Sequence, residues 1–299
     1  MISLKLSELS PQERQAYLQA AIGPRPIAFA STVDRDGNPN LSPFSFFNVF
    51  SSNPPILIFS PARRVRNNTV KDTLTNCEAT KEVVINIVNH ALVQQCSLSS
   101  TEYDTGINEF KKAGLTEEPS LGVTPPRVKE SPVQMECKVK DIVPLGEEGG
   151  AGNLVICEVI HMHISKDILN ADGKIDQHKI DLVARLGGNW YARASGDALF
   201  EVEKPLRNKG IGVDNIPPRI RNSYVFDGND LGMLGNVEQL PADEDIRTVL
   251  DHPRVQSIFN DSSDGMEARE LLHHYAKELL AKGKVEKAWK VLLSDNIQK

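Results

Sequence analysis

The strongest constraint on this chain is a pair of long strand-like stretches, residues 134–143 and 153–165. They are joined by the turn Gly146-Glu147-Glu148-Gly149-Gly150-Ala151-Gly152. Shorter strand-like runs precede it. Pro26 to Val33 leads into a hairpin turn, Asp34-Arg35-Asp36-Gly37-Asn38, in which Asp36-Gly37 supplies the positive-φ position. Asn40 to Phe50 and Ile56 to Phe59 read as strands separated by Asn53-Pro54-Pro55, and Val83 to Val88 as a buried strand. Many short strands, tight turns and few long helices predict a mainly β protein with some α, built as a β-barrel rather than a parallel doubly wound sheet.

Helices are expected at fewer places. Ser10, Pro11 and Glu13 form a Ser-x-x-Glu start, and the helix should run to about Ala21 before Gly23-Pro24 stops it. Val70 to Ala79 and His90 to Leu98 also read as helical. Residues 99–132 form a long Gly-, Pro-, Ser- and Thr-rich excursion, of the kind that is functional or covers something. The composition changes near residue 205, which predicts a domain over residues 1–205 and an extension over 206–299. Within the extension, 206–242 reads as a linker or draped arm and 243–299 as helical. There Leu271, Leu272, Tyr275, Leu279 and Leu280 mark one apolar face, which Val285, Ala288, Trp289 and Leu292 repeat. One helical hairpin cannot bury its own faces, so it should pack on the barrel or on a second copy.

Lys and Arg number 34 against 40 Asp and Glu, a net charge of −6, which argues against a broadly basic nucleic-acid binder. No apolar run approaches the roughly 20 residues of a membrane helix. The opening residues lack a basic head followed by an apolar core, so a soluble cytoplasmic protein is expected. Four well-separated cysteines, Cys77, Cys96, Cys137 and Cys157, should be free buried thiols.

Candidate chemistry gathers in two segments. The first sets Arg63, Arg64, Arg66 and Lys71 around the hydroxyls of Ser60, Thr69 and Thr73, inside an acidic chain. Lys71-Asp72-Thr73 lies where a helix should begin, and the free N–H groups of a helix start suit a phosphate. The alternative is a solvated basic loop paired with surface carboxylates. In the second segment, Ser42 to Asn48, Pro43 blocks a ladder bond and predicts an edge or a bulge. Backbone groups left free there could meet the polar edge of a flat heterocycle, with Phe44, Phe46 and Phe47 as walls and Ser45 and Asn48 as polar contacts. Alternatively these are core phenylalanines. Neither the Gly-x-Gly-x-x-Gly nor the Gly-x-x-x-x-Gly-Lys pattern is present, and no Gly-x-Ser-x-Gly elbow suggests a hydrolase. Cys157, Val159, His161 and His163 should share one strand face. Zinc held there with His178 fits no tight structural spacing, so the histidines read as ordinary hydrogen-bonded groups or as neighbours of a cofactor or an interface. His273-His274 reads as surface.

Pro-Arg-Pro-Ile-Ala (24–28), Ser-Pro-Phe-Ser-Phe-Phe-Asn (42–48), Asn-Pro-Pro (53–55), Lys-Asp-Thr (71–73), the strand 153–165 and Arg185-Leu-Gly-Gly-Asn-Trp-Tyr191 together resemble the flavin reductase-like, FMN-binding split-barrel family over about residues 20–200. The resemblance implies a six-stranded split barrel, usually a homodimer, with FMN near the interface. It implies that Pro43, Phe44, Ser45, Phe46 and Phe47 contact the isoalloxazine, that Ser60, Arg66, Lys71, Asp72 and Thr73 surround the ribityl phosphate, and that Arg185 and Tyr191 approach the ring or close the substrate side. Among Arg63, Arg64 and Arg66, the choice for the phosphate falls on Arg66. The implied activity is hydride transfer from NADH or NADPH to flavin, with a small-molecule acceptor downstream. Rival readings are a flavoredoxin-like carrier or FMN sensor, and a flavin-free interaction protein on the same barrel. A pyridoxamine phosphate oxidase would need a further phosphate-binding set that is absent. Nothing is carried onto the last hundred residues.

Overall fold

The computed structural model describes residues 1–206 and 209–297. Its internal contacts divide the chain into two units, Met1–Phe200 and Glu201–Lys299.

The first unit is built on strands β1 (Ala28–Val33), β2 (Pro39–Phe44), β3 (Phe47–Ser52), β4 (Pro55–Phe59), β5 (Glu82–Ile87), β6 (Glu117–Glu118), β7 (Arg127–Val128), β8 (Val133–Pro144), β9 (Asn153–Ile164), β10 (Val183–Arg185) and β11 (Tyr191–Arg193). Seven of them make one antiparallel sheet in the order β2-β1-β5-β8-β9-β4-β3. The expected single strand from Asn40 to Phe50 is therefore two strands at the two ends of this order, joined only by Ser45 and Phe46. In a flat sheet the outer strands would lie about 29 Å apart, at about 4.8 Å per strand. The two linking residues reach about 10 Å. The sheet must curl until its edges meet, which makes a split β-barrel whose split runs beside Ser45 and Phe46. Pro43 lies on edge strand β2, as its missing N–H requires.

Strand β1 is buried on both faces, and its alternating side chains feed two cores. Ala28 and Ala30 join Phe59, Val83, Ile85, Val155 and three cysteines inside the barrel. Phe29 joins Leu41, Val88, Leu92, Phe110 and Val128 outside it. Each fully buried phenylalanine contributes about 1.5–3 kcal/mol. The excursion 99–132 covers this outer core, with helix α4 (Glu109–Ala113) and the β6–β7 pair supplying Phe110 and Val128. Helices α1 (Pro11–Ala21), α2 (Asp72–Thr80), α3 (Val93–Leu98) and α5 (Gln177–Ile180) complete the unit. In α1 the Ser10 hydroxyl accepts the Glu13 N–H and the Glu13 carboxylate accepts the Ser10 N–H, the reciprocal cap the sequence predicts. All four cysteines are free and buried, and burial pushes the Cys77 and Cys96 thiols up to about 12.

The second unit is helical: α6 (Pro218–Arg221), α7 (Gly228–Gly235), α8 (Asp243–Arg247), α9 (Pro253–Asp261), α10 (Gly265–Leu280) and α11 (Val285–Leu293). The stretch read as a linker or draped arm is part of its core. Ile216, Ile220, Val225, Phe226 and Leu234 pack with Leu272, Leu280, Trp289 and Leu292, and the Trp289 indole donates to the Leu234 carbonyl at 3.0 Å. Gly, Asn and Asp here supply caps between short helices; Asp227, for example, accepts from the N–H groups of Asn229 and Asp230. Two further readings change. Leu271 is exposed while Leu272 is buried, and His273, expected at the surface, is only 4% exposed. Its Nδ1 lies 2.8 Å from the Ser223 hydroxyl. Among the described residues no helix is long and apolar enough to cross a membrane.

Candidate functional site

The segment between β4 and α2 folds against the glycine-rich turn between β8 and β9. Arg63 N–H donates to the Ala151 carbonyl at 2.8 Å, Gly150 N–H to the Arg63 carbonyl at 2.9 Å, and the Asn153 side chain to the Pro61 carbonyl at 2.9 Å. Two glycines allow this approach: a Cβ on Gly152 would meet the Ser60 hydroxyl at 2.6 Å, and one on Gly149 the Val65 carbonyl at 3.0 Å. The pairing leaves a cavity of about 700 Å³, within the range of small-ligand sites. Its walls are α1 (Arg14, Gln15, Leu18), Phe46, residues 62–66, Lys71, Glu102 and residues 146–151.

The three arginines of the loop are held differently. Arg63 is turned onto Asn68, donating to its side-chain oxygen at 2.6 Å and its carbonyl at 2.8 Å. Arg64 donates to the Thr69 hydroxyl at 3.0 Å and the Val70 carbonyl at 2.6 Å. Arg66 reaches Glu102 at 3.0 Å, and Arg64 Nε stands 3.5 Å from the same carboxylate. The alternative reading of a basic loop paired with carboxylates thus describes Arg64 and Arg66. It does not describe Lys71, which has no carboxylate partner among the described residues and whose Nζ lies 5.3 Å from the Phe44 ring centre. Burial, and then the neighbouring Arg64 guanidinium, hold the Lys71 ammonium below its ordinary pKa, while Glu102 acts in the opposite direction. Just beyond Lys71, α2 begins, and the N–H groups of Asp72 and Thr73 have no acceptor among the described residues.

Of the candidate residues singled out from the two segments of the sequence, Phe46, Arg63, Arg64, Arg66 and Lys71 line the cavity. Phe44 is buried against Phe59, with ring centres 5.4 Å apart, and Phe47 pairs with Phe59 across β3 and β4. Pro43 faces Phe29 in the ladder. Ser45 and Phe46 span the barrel split: the Ser45 hydroxyl accepts from Arg25 Nε at 3.5 Å, and the Phe46 carbonyl accepts the Ser60 N–H at 2.8 Å. Ser60 is buried beneath the turn. The Thr73 hydroxyl, 1% exposed, accepts from the Asn40 side chain at 2.9 Å, which turns it toward the barrel strands. Arg185 and Tyr191 pair across β10 and β11, with the guanidinium carbon 4.6 Å from the ring centre. Tyr191 also lines a smaller cleft of about 290 Å³ with His90 and Arg193.

Sequence reasoning found helix α1 but missed its place in the cavity wall, as it missed Glu102, the role of Arg25 and the cavity role of the 146–151 turn. The Gly-rich composition of the turn was the one available signal. Arg25 is 7% exposed and donates to the carbonyls of Gln19, Ile22 and Leu186 as well as to Ser45, so it ties the end of α1 to the split. Of the strand histidines, His163 is hydrogen-bonded, its Nε2 2.7 Å from the buried Glu136 carboxylate; His161 Nδ1 stands 3.9 Å from the same group, and Cys157 is in the barrel core. Burial pushes the Glu136 carboxyl up, but the N–H groups of Leu121 and Gly122, with His163, outweigh it and leave its pKa low. Among the described residues no three His, Cys, Asp or Glu side chains are grouped to hold a metal ion.

A family model, that of the flavin reductase like domain, matches residues 22–179. An uncharacterized protein of Aquifex aeolicus (strain VF5) is 37% identical over 179 residues, covering 60% of this chain and 89% of that one. Nitrilotriacetate monooxygenase component B from Bacillus cereus superposes with a TM-score of 0.63 at 30% identity, over 68% of this chain and 98% of that one. A split-barrel structure assigned as a flavin reductase, from Shewanella frigidimarina NCIMB 400, has a TM-score of 0.56 at 29% identity over 67% and 96%. The chain that carries this curled sheet and its basic cavity belongs to the flavin reductase-like domain family.

Proposed function

We propose that this chain is a cytoplasmic FMN-binding flavoprotein, and that it acts as an NAD(P)H-dependent flavin reductase. The observation that carries the reading is Lys71: a half-buried ammonium without a carboxylate, beside two N–H groups at the start of α2, in a cavity ringed by arginines. A dianionic phosphate suits that set, because charge-assisted bonds from Lys, Arg and backbone N–H groups are the strong ones and a helix start favours negative charge. The Shewanella frigidimarina neighbour, named for flavin reduction, and the flavin reductase like family model support the same assignment.

In this reading Lys71, Arg64, Arg66 and the N–H groups of Asp72 and Thr73 hold the ribityl phosphate. Phe46 walls the cavity, and the backbone at the barrel split, around Pro43 to Phe47, meets the ring edge, with Ser45 steadied by Arg25. When bound, the flavin supplies hydride acceptance from a nicotinamide and onward electron transfer. The chain's own part is binding, orientation and charge compensation. Arg185 and Tyr191 are proposed for the substrate side, on the family pattern. A second copy of this chain is the proposed partner, supported by the exposed Val49 and Phe50 on β3 and Ile160 and Met162 on β9; molar mass from light scattering tests it, and a monomer at micromolar concentration refutes it.

The test of function is the visible spectrum of the purified protein before and after anaerobic NADH or NADPH. A flavin spectrum that bleaches with one nucleotide supports the reductase and names its donor. Bleaching only with dithionite assigns a flavoredoxin-like carrier instead. A colourless protein that takes up no added FMN refutes the assignment.

A further inference from the structure

The cavity of the first unit contains a carboxylate already seated on its cations. Glu102 lies in the segment between α3 and α4, far in sequence from the basic loop. Its two oxygens are 3.0 Å from Arg66 Nη2 and 3.5 Å from Arg64 Nε. Arg64 cannot swing away to a different partner without losing its bonds to Thr69 and Val70, so its Nε edge is what it presents to the cavity. Glu147 and Glu148 also line the cavity but make no ion pair among the described residues. Glu102 is thus the carboxylate that engages the guanidinium edges to which a phosphate would bind.

We infer that Glu102 is a built-in competitor for the anion, which holds Arg64 and Arg66 in the flavin-free protein and must yield them when a phosphate enters. The inference rests on the reading of this cavity as the FMN site. Its logic is electrostatic. The Glu102 side chain is 53% exposed and that of Arg66 78%, and an ion pair this wet is worth little. A dianionic phosphate that also engages the less exposed Lys71 offers the same guanidinium edges more charge and more acceptors. Two anions on one pair of arginines repel each other, so Glu102 either moves into water or lowers the affinity of what displaces it. A flavin without phosphate has no claim on the arginines and leaves Glu102 in place. The residue therefore sets the threshold at which the cavity accepts an anion, and discriminates by the ligand's charge.

The experiment measures dissociation constants of FMN and riboflavin for full-length wild type, Glu102→Gln and Lys71→Ala. Glu102→Gln keeps shape and removes charge at an exposed position. It should tighten FMN about fivefold, steepen the salt dependence of FMN binding, and leave riboflavin unchanged. FMN affinity that is unchanged or weaker in Glu102→Gln, with Lys71→Ala weakened as expected, overturns the competitor and leaves the FMN site standing. FMN affinity unchanged in Lys71→Ala overturns the reading of the cavity itself, and the competitor with it.

Discussion

The helical unit and the basic loop of the barrel unit handle positive charge in opposite ways. In the helical unit, Arg219 Nη1 and Arg269 Nε each stand 2.9 Å from the Asp295 carboxylate, which is 10% exposed, and Lys277 meets Asp230 at 2.8 Å. These cations are matched by carboxylates within the unit and brace its core. In the barrel unit, Arg63, Arg64, Arg66 and Lys71 crowd one loop, and Glu102 alone answers two of them. Lys71 is left desolvated and, among the described residues, without a carboxylate. Charges that satisfy one another stabilise a fold, whereas charges left short of partners create a demand for a ligand.

Four measurements can break or sharpen that contrast. The largest effect is expected at Asp295. Asp295→Ala leaves two arginines facing each other in a poorly hydrated place, and the helical unit should lose about 3–5 kcal/mol in chemical denaturation. A loss below about 1 kcal/mol would make the pair ornamental and weaken the comparison. The next is a pH effect. Burial holds His273 down at about 4, against an ordinary value of 6.5. Between those values the unfolded chain binds the proton that the folded unit refuses, so stability falls as pH drops from about 6.5 toward 4, by up to about 3 kcal/mol, and is flat above. His273→Gln should remove that slope while the rest of the acid response persists.

Third, Lys71→Ala should weaken FMN binding by about 1.5–3 kcal/mol, the range for a charge-assisted bond, and leave riboflavin nearly untouched. Equal weakening of both ligands would move Lys71 from the phosphate to the ring. The smallest effect is expected from ending the chain after Phe200. The barrel unit has its own two cores, so it should remain folded and keep its FMN dissociation constant within about twofold. A truncated chain that loses flavin would show that the helical unit contributes to the site.

Much of the first unit is legible because its signals are short-range. The reciprocal cap of Ser10 and Glu13, the Asp-Gly turn after β1, and Pro43 at an edge each depend on residues a few positions apart. The basic segment is legible for the same reason: its cations and hydroxyls lie within fourteen residues, 60–73. The errors are equally instructive. Residues 206–242 look like a linker because they are rich in Gly, Asn and Asp, yet Asp227 caps α7 and Ile216, Ile220, Val225, Phe226 and Leu234 are buried in the helical core. His273 reads as surface because it belongs to a His-His pair on the helical tail, whereas in the fold it is buried with its Nδ1 beside Ser223, fifty positions away. The single strand read from Asn40 to Phe50 is two strands, parted at Ser45 and Phe46, which lie at opposite ends of the sheet order.

By itself, then, the chain's order of residues determined the class of fold, the helix starts, the turns and the presence of a basic loop, all through interactions that close within one turn or one strand register. Only the tertiary structure decided that Glu102 faces Arg64 and Arg66, that the 146–151 turn roofs the cavity, and that Lys71 is left without a carboxylate. Those outcomes depend on the sheet curling until β2 and β3 meet, and on which buried side chains exclude water around a charge. Partners brought together across many tens of residues leave no periodicity to read, because desolvation and pairing energies are set by the packed surroundings rather than by neighbours in the chain.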